Sequence, residues 1–150
     1  MKYTIKKGHH YAWPMFTRPM WLDKQRAYRI AFSDECFESY VEEKGAVNKI
    51  FGWTDGLALN SIHKNSRRLG WRPNKDRTIT VFLYFYTDGI LTKTEKTKIH
   101  KGEGIRYNVN SSNGEFLKGT RHKWGWWLSP FFGGELPSPN NCTVIIKKIK

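Results

Sequence analysis

A chain of 150 residues with 26 Lys and Arg against 13 Asp and Glu carries a formal charge of +13 and a pI of about 9.9. That length makes one ordinary domain, able to bury about two-thirds of its unfolded surface without metal or disulfide. Its seven Trp, seven Tyr and nine Phe exclude disorder, and the lack of any apolar run of roughly 18 residues excludes a helical membrane span.

The charge is spread along the chain: residues 1–75 hold 14 basic and 7 acidic side chains, and 76–150 hold 12 and 6. There is no basic tail; a globular domain this basic is expected to attract polyanions such as nucleic acid, acidic glycan or an anionic surface, the alternative being charge that only keeps it soluble. Cys36 and Cys142 lie in no C-x-x-C motif, and two free, buried thiols are expected. The start M-K-Y-T-I-K-K-G-H-H has no apolar signal segment, so a cytoplasmic or virion-associated location is the expectation.

Residues 3–7 read as a first strand. Gly8 to Pro19 reads as an irregular arm, because Pro14 and Pro19 oppose a helix. Most of its rings (Tyr11, Trp13, Phe16, and Trp21 beyond it) are expected to pack on the body. Ala27–Phe32 is a short strand. Ser33–Lys44 is the acidic segment, with Asp34, Glu35, Glu38, Glu42 and Glu43. Ser33 as N-cap, acids in the first turn and Phe37, Tyr40 and Val41 at i, i+3, i+4 predict a short helix closed by Gly45. Val47–Trp53 is a strand, and Thr54-Asp55-Gly56 a turn.

Ser61 to Gly89 is the centre of interest. It opens with His63, Lys64, Asn65, Arg67, Arg68, Trp71 and Arg72, read as a cationic, aromatic surface. The strand Thr78–Tyr86 follows, with Ile79, Val81, Leu83 and Phe85 turned one way. Phe82, Tyr84 and Tyr86, with Thr78 and Thr80, turn the other way. A half-buried strand would show a polar second face; this one is aromatic with hydroxyls, and calls for a covering layer or a ligand. Thr87-Asp88-Gly89 is a hairpin signal, and Lys-rich Thr92–Ile99 has the pattern of an edge strand.

Further on, Ile105–Val109 is a strand, Asn110–Gly114 a loop and Glu115–Thr120 a short strand. Trp124–Phe132 is strand-like as far as Pro130. Gly133, Gly134, Pro137 and Pro139 mark an extended crossing, and Thr143–Lys150 is the last strand. Roughly nine short strands and at most one helix predict an all-β fold. The first choice is an antiparallel two-sheet β-sandwich of jelly-roll type, and a closed β-barrel is the alternative.

The candidate binding residues are His63, Asn65, Arg67, Trp71, Arg72, Tyr84, Tyr86, Trp124 and Trp126. Trp124 and Trp126 share a strand face and Trp127 takes the other; core is the first expectation for these rings, and beside Arg121, His122 and Lys123 a platform for sugars or single-stranded bases is the alternative. Arg67, Arg68, Arg72, Lys75 and Arg77 form the densest basic cluster, suited to phosphate contacts or to pairing with the Asp34–Glu43 segment. Adjacent His9 and His10 would face opposite sides of a strand and so do not easily share a metal; one of them could do so with His63, but no carboxylate is spaced nearby, and a loop pair bonded to backbone is expected. His100 and His122 read as surface. No metal or cofactor is expected. G-x-S-x-G, P-loop and G-x-G-x-x-G motifs are absent, and the acids, mostly in turns, disfavour a glycosidase pair.

These features predict a non-enzymatic recognition domain for a glycan, possibly anionic, held in a cationic-aromatic cleft. One alternative is a phage or surface assembly protein, a homo-oligomer whose exposed rings form the interface. A polysaccharide lyase and a single-stranded nucleic-acid binder are further alternatives. For a lyase, His63, Asn65, Arg67, Arg72, Tyr84 and Tyr86 are the residues β-elimination would use to move a proton and neutralise a carboxylate.

Three segments carry a family likeness: K-G-H-H-Y-A (Lys7–Ala12), H-K-N-S-R-R-L-G-W-R (His63–Arg72) and P-F-F-G-G-E-L-P-S-P (Pro130–Pro139). Together they resemble small all-β proteins of bacteria and their phages that have no agreed activity. The resemblance implies a β-sandwich and transfers no catalytic residue. More loosely, Ser61-Ile62-His63 and Leu83-Tyr84-Phe85-Tyr86 are similar to the Q-[IV]-H and Y-x-K-A-G-x-Y segments of jelly-roll alginate lyases. Here the Gln is replaced and the Lys-Ala-Gly and Arg-Ser-Glu-Leu elements are absent.

Overall fold

The computed structural model describes residues 1–14, 17–22, 26–42, 46–56, 62–109 and 123–149. The strands run β1 (Lys2–Ile5), β2 (Ala12–Trp13), β3 (Pro19–Trp21), β4 (Arg26–Phe32), β5 (Asn48–Thr54), β6 (Ser66–Pro73) and β7 (Ile79–Thr87). β8 (Ile90–Ile99), β9 (Ile105–Val109), β10 (Trp124–Leu128) and β11 (Cys142–Ile149) complete them, and α1 (Asp34–Phe37) is a single helical turn after β4.

They form two antiparallel sheets, ordered β2-β1-β11-β4-β9 and β3-β10-β5-β6-β7-β8. With β2 and the β7–β8 hairpin set aside, eight strands remain. Counted along the chain, their order is first-eighth-third-sixth in one sheet and second-seventh-fourth-fifth in the other. That is the double Greek key of a jelly roll, so the sandwich expectation holds and the barrel alternative does not.

The core lies between the sheets. β1 and β4 supply Ile5, Tyr28, Ile30 and Phe32, and β5, β6 and β10 supply Phe51, Trp53, Leu69, Trp71 and Trp127. β7 adds Ile79, Val81 and Leu83, with Phe85 packed against the cluster, which is the inward set expected from its alternation. Large rings fill the space by stacking and edge contacts: Phe51 lies nearly parallel to Trp127 at 5.2 Å, and Trp71 meets Phe32 at 5.2 Å and Phe132 at 6.1 Å.

The hairpin is built as the turn signal predicts. Asp88 (φ 50°) and Gly89 (φ 80°) are consecutive left-handed residues, the pairing that a two-residue turn matched to strand twist requires. β8 forms the outer edge of its sheet and is exposed from Ile90 to Lys98.

Three expectations are corrected. The helix stops at Phe37, and the Ser33 side chain does not cap it. Its hydroxyl instead accepts the Thr143 N–H at 3.0 Å, while Glu38 is drawn off by Arg77 (3.3 Å) and Lys101. In the proline arm Tyr11 and Trp13 are 64% and 73% exposed rather than packed on the body, and Trp21 is half-buried. The basic run after Ile62 is not a surface segment but a central strand, β6, with Arg67 and Arg68 only 3% and 8% exposed. The expected Asn110–Gly114 loop and Glu115–Thr120 strand fall outside the described residues, as do Phe16, Glu43 and Gly45.

Cys36 and Cys142 are free thiols buried together under α1, ringed by the hydroxyls of Ser33, Ser39 and Ser138. Trp71 is fully buried between Phe32 and Phe132. Trp71→Ala should therefore cost about 3–5 kcal/mol, read as a lower midpoint in urea denaturation.

Candidate functional site

Alternation along each strand decides what reaches the outer face of the larger sheet. In β6, Leu69 and Trp71 point into the core, so Ser66, Arg68, Gly70 and Arg72 point out. Register sets Tyr86 beside Ser66, Tyr84 beside Arg68 and Phe82 beside Gly70 on β7. On the β5 side, Thr54 stands opposite Ser66, Gly52 opposite Arg68 and Lys49 opposite Gly70. The chain beyond β10 continues the same register, since Phe131 exchanges backbone hydrogen bonds with Lys49 at 2.8 and 3.0 Å.

A small cleft of about 70 Å³ opens on this face, lined by Lys49, Ile62, His63, Ser66, Arg68, Tyr84, Tyr86 and Phe131. Its floor depends on Gly52. A Cβ there would come 2.1 Å from the Arg67 carbonyl oxygen and 2.7 Å from Cγ of Arg68. Glycine leaves Arg68 room to lie across β5, where its Nη2 donates to the Ser129 carbonyl at 2.9 Å. The rings form the walls. His63 meets Tyr86 edge-on at 5.5 Å, and Tyr86 meets Tyr84 edge-on at 5.8 Å.

The hairpin turn holds His63 in place through its neighbours. Gly89 N–H donates to the Lys64 carbonyl at 3.0 Å, and Asp88 N–H donates to Oδ1 of Asn65 at 3.1 Å.

The electrostatics of the cleft are one-sided. Among the described residues, no carboxylate lies within ion-pair distance of Arg68 or Lys49. Burial pushes Arg68 down to about 10, opposed only by the Tyr84 hydroxyl. Arg68 Nε is buried with no hydrogen-bond partner. Burial, then Arg68 and Lys93, push the Lys49 ammonium down to about 8. Lys49 Nζ donates to the Val47 carbonyl at 2.7 Å and sits 4.4 Å above the Tyr84 ring. Burial and the hydrogen bond with Tyr86 raise Tyr84 to about 12, so it stays a phenol at any ordinary pH. Buried charges are normally paired; here two cations share a cleft that offers them a cation–π contact and carbonyl oxygens.

Of the predicted residues, His63, Tyr84 and Tyr86 come together. The others lie elsewhere. Trp71 belongs to the core and does not line the cleft. Arg67 turns inward, over Phe85 at 5.1 Å, and its Nη1 donates to the Tyr86 carbonyl at 2.8 Å, a structural tie between β6 and β7. Asn65 is spent on the hairpin turn. Arg72 is outward but further along the strand, over Phe82 at 5.0 Å and 3.9 Å from Glu95. Trp124 lies against its cross-strand partner Trp21, the rings tilted by 34° with centroids 3.7 Å apart, so one face is partly covered. Trp126 lies outward on β10, its N–H on Thr54 Oγ1 at 2.8 Å.

Lys49, Arg68 and Phe131 were not among the predicted site residues. Arg68 carried a usable signal: in a strand, Arg67 and Arg68 cannot share a face, so one had to cross the outer surface. Lys49 and Phe131 carried none, since a bulge between Lys49 and Phe51 resets the phase of β5 and Phe131 reaches Lys49 only through an isolated long-range bridge. Among the described residues, no three His, Cys, Asp or Glu side chains cluster as a metal site would. No protein-family model, curated protein or solved structure matches the chain.

Lys49 titrates at about 8 in the fold and near 10.5 when unfolded. Between those values the unfolded chain binds the extra proton, so this residue makes stability rise with pH across that window. In Lys49→Met the rise should flatten, measured by urea denaturation at pH values on either side of the window.

Proposed function

We propose that this jelly roll is a recognition domain for an anionic glycan, with a carboxylate or sulfate of the sugar seated between Arg68 and Lys49. The observation that carries the reading is a buried Arg68 beside a half-buried Lys49, with no carboxylate of the described residues within ion-pair distance of either. Leaving such charges unpaired in a desolvated site is costly, and an incoming anion offsets that cost through charge-assisted hydrogen bonds. The walls suit a sugar ring, since Tyr84, Tyr86, His63 and Phe131 present aromatic surface and two phenol hydroxyls around the cations. The overall charge of +13 favours the approach of an anionic polymer.

Calorimetric titration against uronic-acid and neutral oligosaccharides at low salt tests the reading. Binding should be confined to the anionic series and should weaken as pH rises through about 8, where Lys49 loses its proton. Lys49→Met should lower affinity about tenfold or more, the loss of one charge-assisted bond. Equal affinity for neutral sugars, or no binding by a folded protein, would overturn it.

One observation favours a second reading, β-elimination on the same ligand. Lys49, at about 8, can take a proton near neutral pH, and Tyr84, at about 12, can give one. A base would remove the proton next to the sugar carboxyl, the C4–O bond would break as the double bond forms, and the leaving oxygen would take a proton from the phenol. Arg68 would neutralise the carboxylate as charge builds on it. Ultraviolet absorbance of an unsaturated product on incubation with uronans decides between binding and cleavage, and a flat trace removes this second reading.

A further inference from the structure

A second concavity lies along the same line of the molecule. Lys49 pairs with Phe131, and Phe131 pairs in turn with Tyr11. The rings of Phe131 and Tyr11 meet edge-on at 5.1 Å. Phe131 thus walls the cleft on one side and abuts the arm on the other. Two strand spacings of roughly 4.8 Å each separate the Lys49 backbone from that of Tyr11.

β2 explains what is displayed there. Ala12 turns into the core, so Tyr11 and Trp13 turn out together. β1 runs alongside with Thr4 paired to Trp13 and Ile5 to Ala12. Thr4, Lys6, His9, Tyr11, Ala12 and Trp13 bound an open groove of about 230 Å³. Trp13 and Tyr11 are 73% and 64% exposed. Two large rings left in water on one short strand, with a lysine and a histidine beside them, are what a docking surface requires rather than what a core requires.

We propose that this groove is a second subsite for the same ligand, and that the ligand is an anionic oligosaccharide spanning both sites. The inference rests on the anionic-glycan reading of the cleft. One charged group of the chain sits on Arg68 and Lys49. The chain then passes over Phe131, and a later unit lies on Tyr11 and Trp13, where Lys6 and His9 face its acidic substituent. Continuity with the cleft through Phe131 and the repeated pairing of cation with exposed ring argue for this occupant over a second copy of the protein.

The test is titration with a single uronic acid and with uronan oligomers of increasing length, using the native protein, Trp13→Ala and Lys49→Met, with light scattering on each. In the native protein affinity should rise with oligomer length by about tenfold, the scale of one aromatic stacking contact. Trp13→Ala, at an exposed position, should abolish that gain and leave the affinity for the single sugar unchanged, whereas Lys49→Met should weaken both. A length-independent affinity that Trp13→Ala does not alter would overturn the second subsite and leave the cleft reading intact. Absence of binding to every uronide would overturn the cleft reading and this one with it. A native dimer that Trp13→Ala converts to monomer, with oligomer affinity unchanged, would assign the groove to self-association instead.

Discussion

A guanidinium laid across the outside of a β-sheet, with a backbone carbonyl for company and no acid among the described residues, is the constraint on which the rest of the site depends. Arg68 keeps its charge because β5 offers Gly52 beneath it and because Ser129 turns its carbonyl towards it. The burial that raises the cost of this charge also strengthens whatever anion reaches it, since the same low local dielectric acts on both. Lys49 feels the same desolvation and the repulsion of Arg68, and loses much of its basicity in consequence. The cleft is therefore a place of stored electrostatic cost, held open by a sandwich core of interlocked Trp and Phe rings below it.

The strand pattern was legible wherever one face was apolar. β7 announced its inward residues by simple alternation, and the Asp88–Gly89 turn announced the hairpin. Even the jelly-roll choice followed from short strands with turn signals between them, although the strand order itself is a matter of long-range pairing. β6 was not legible, because alternation there is masked. Arg67 takes an inward position among hydrophobic neighbours and pays its way through Tyr86 and Phe85, so the segment reads as surface charge. The helix was over-read for the opposite reason. A sound local signal across Ser33–Lys44 lost to ion pairs from Glu38 to Arg77 and Lys101 and to the hold of Ser33 on β11.

The site was half legible for related reasons. His63, Tyr84 and Tyr86 lie close in sequence to the strand that carries them, so local reasoning found them. Lys49 and Phe131 join through a β-bulge and a bridge between distant segments, and no local pattern encodes that register. Trp71, the most tempting ring in the basic run, belongs wholly to the core because its partners Phe32 and Phe132 come from opposite ends of the chain.

The β7–β8 hairpin stands outside the eight-strand jelly roll, yet it does more than widen a sheet. Its first strand brings Tyr84 and Tyr86, and its turn grips Lys64 and Asn65 and so steadies His63. The cationic floor, Lys49 and Arg68, belongs instead to strands of the jelly roll proper. Charge and rings thus come in part from separable parts of the chain: the scaffold carries Lys49 and Arg68, and an appended ribbon carries Tyr84 and Tyr86, two of the four rings that line the cleft. A fold divided this way is modular at the scale of a single hairpin, and a change of ribbon would replace half of the cleft's rings while leaving its two cations in place.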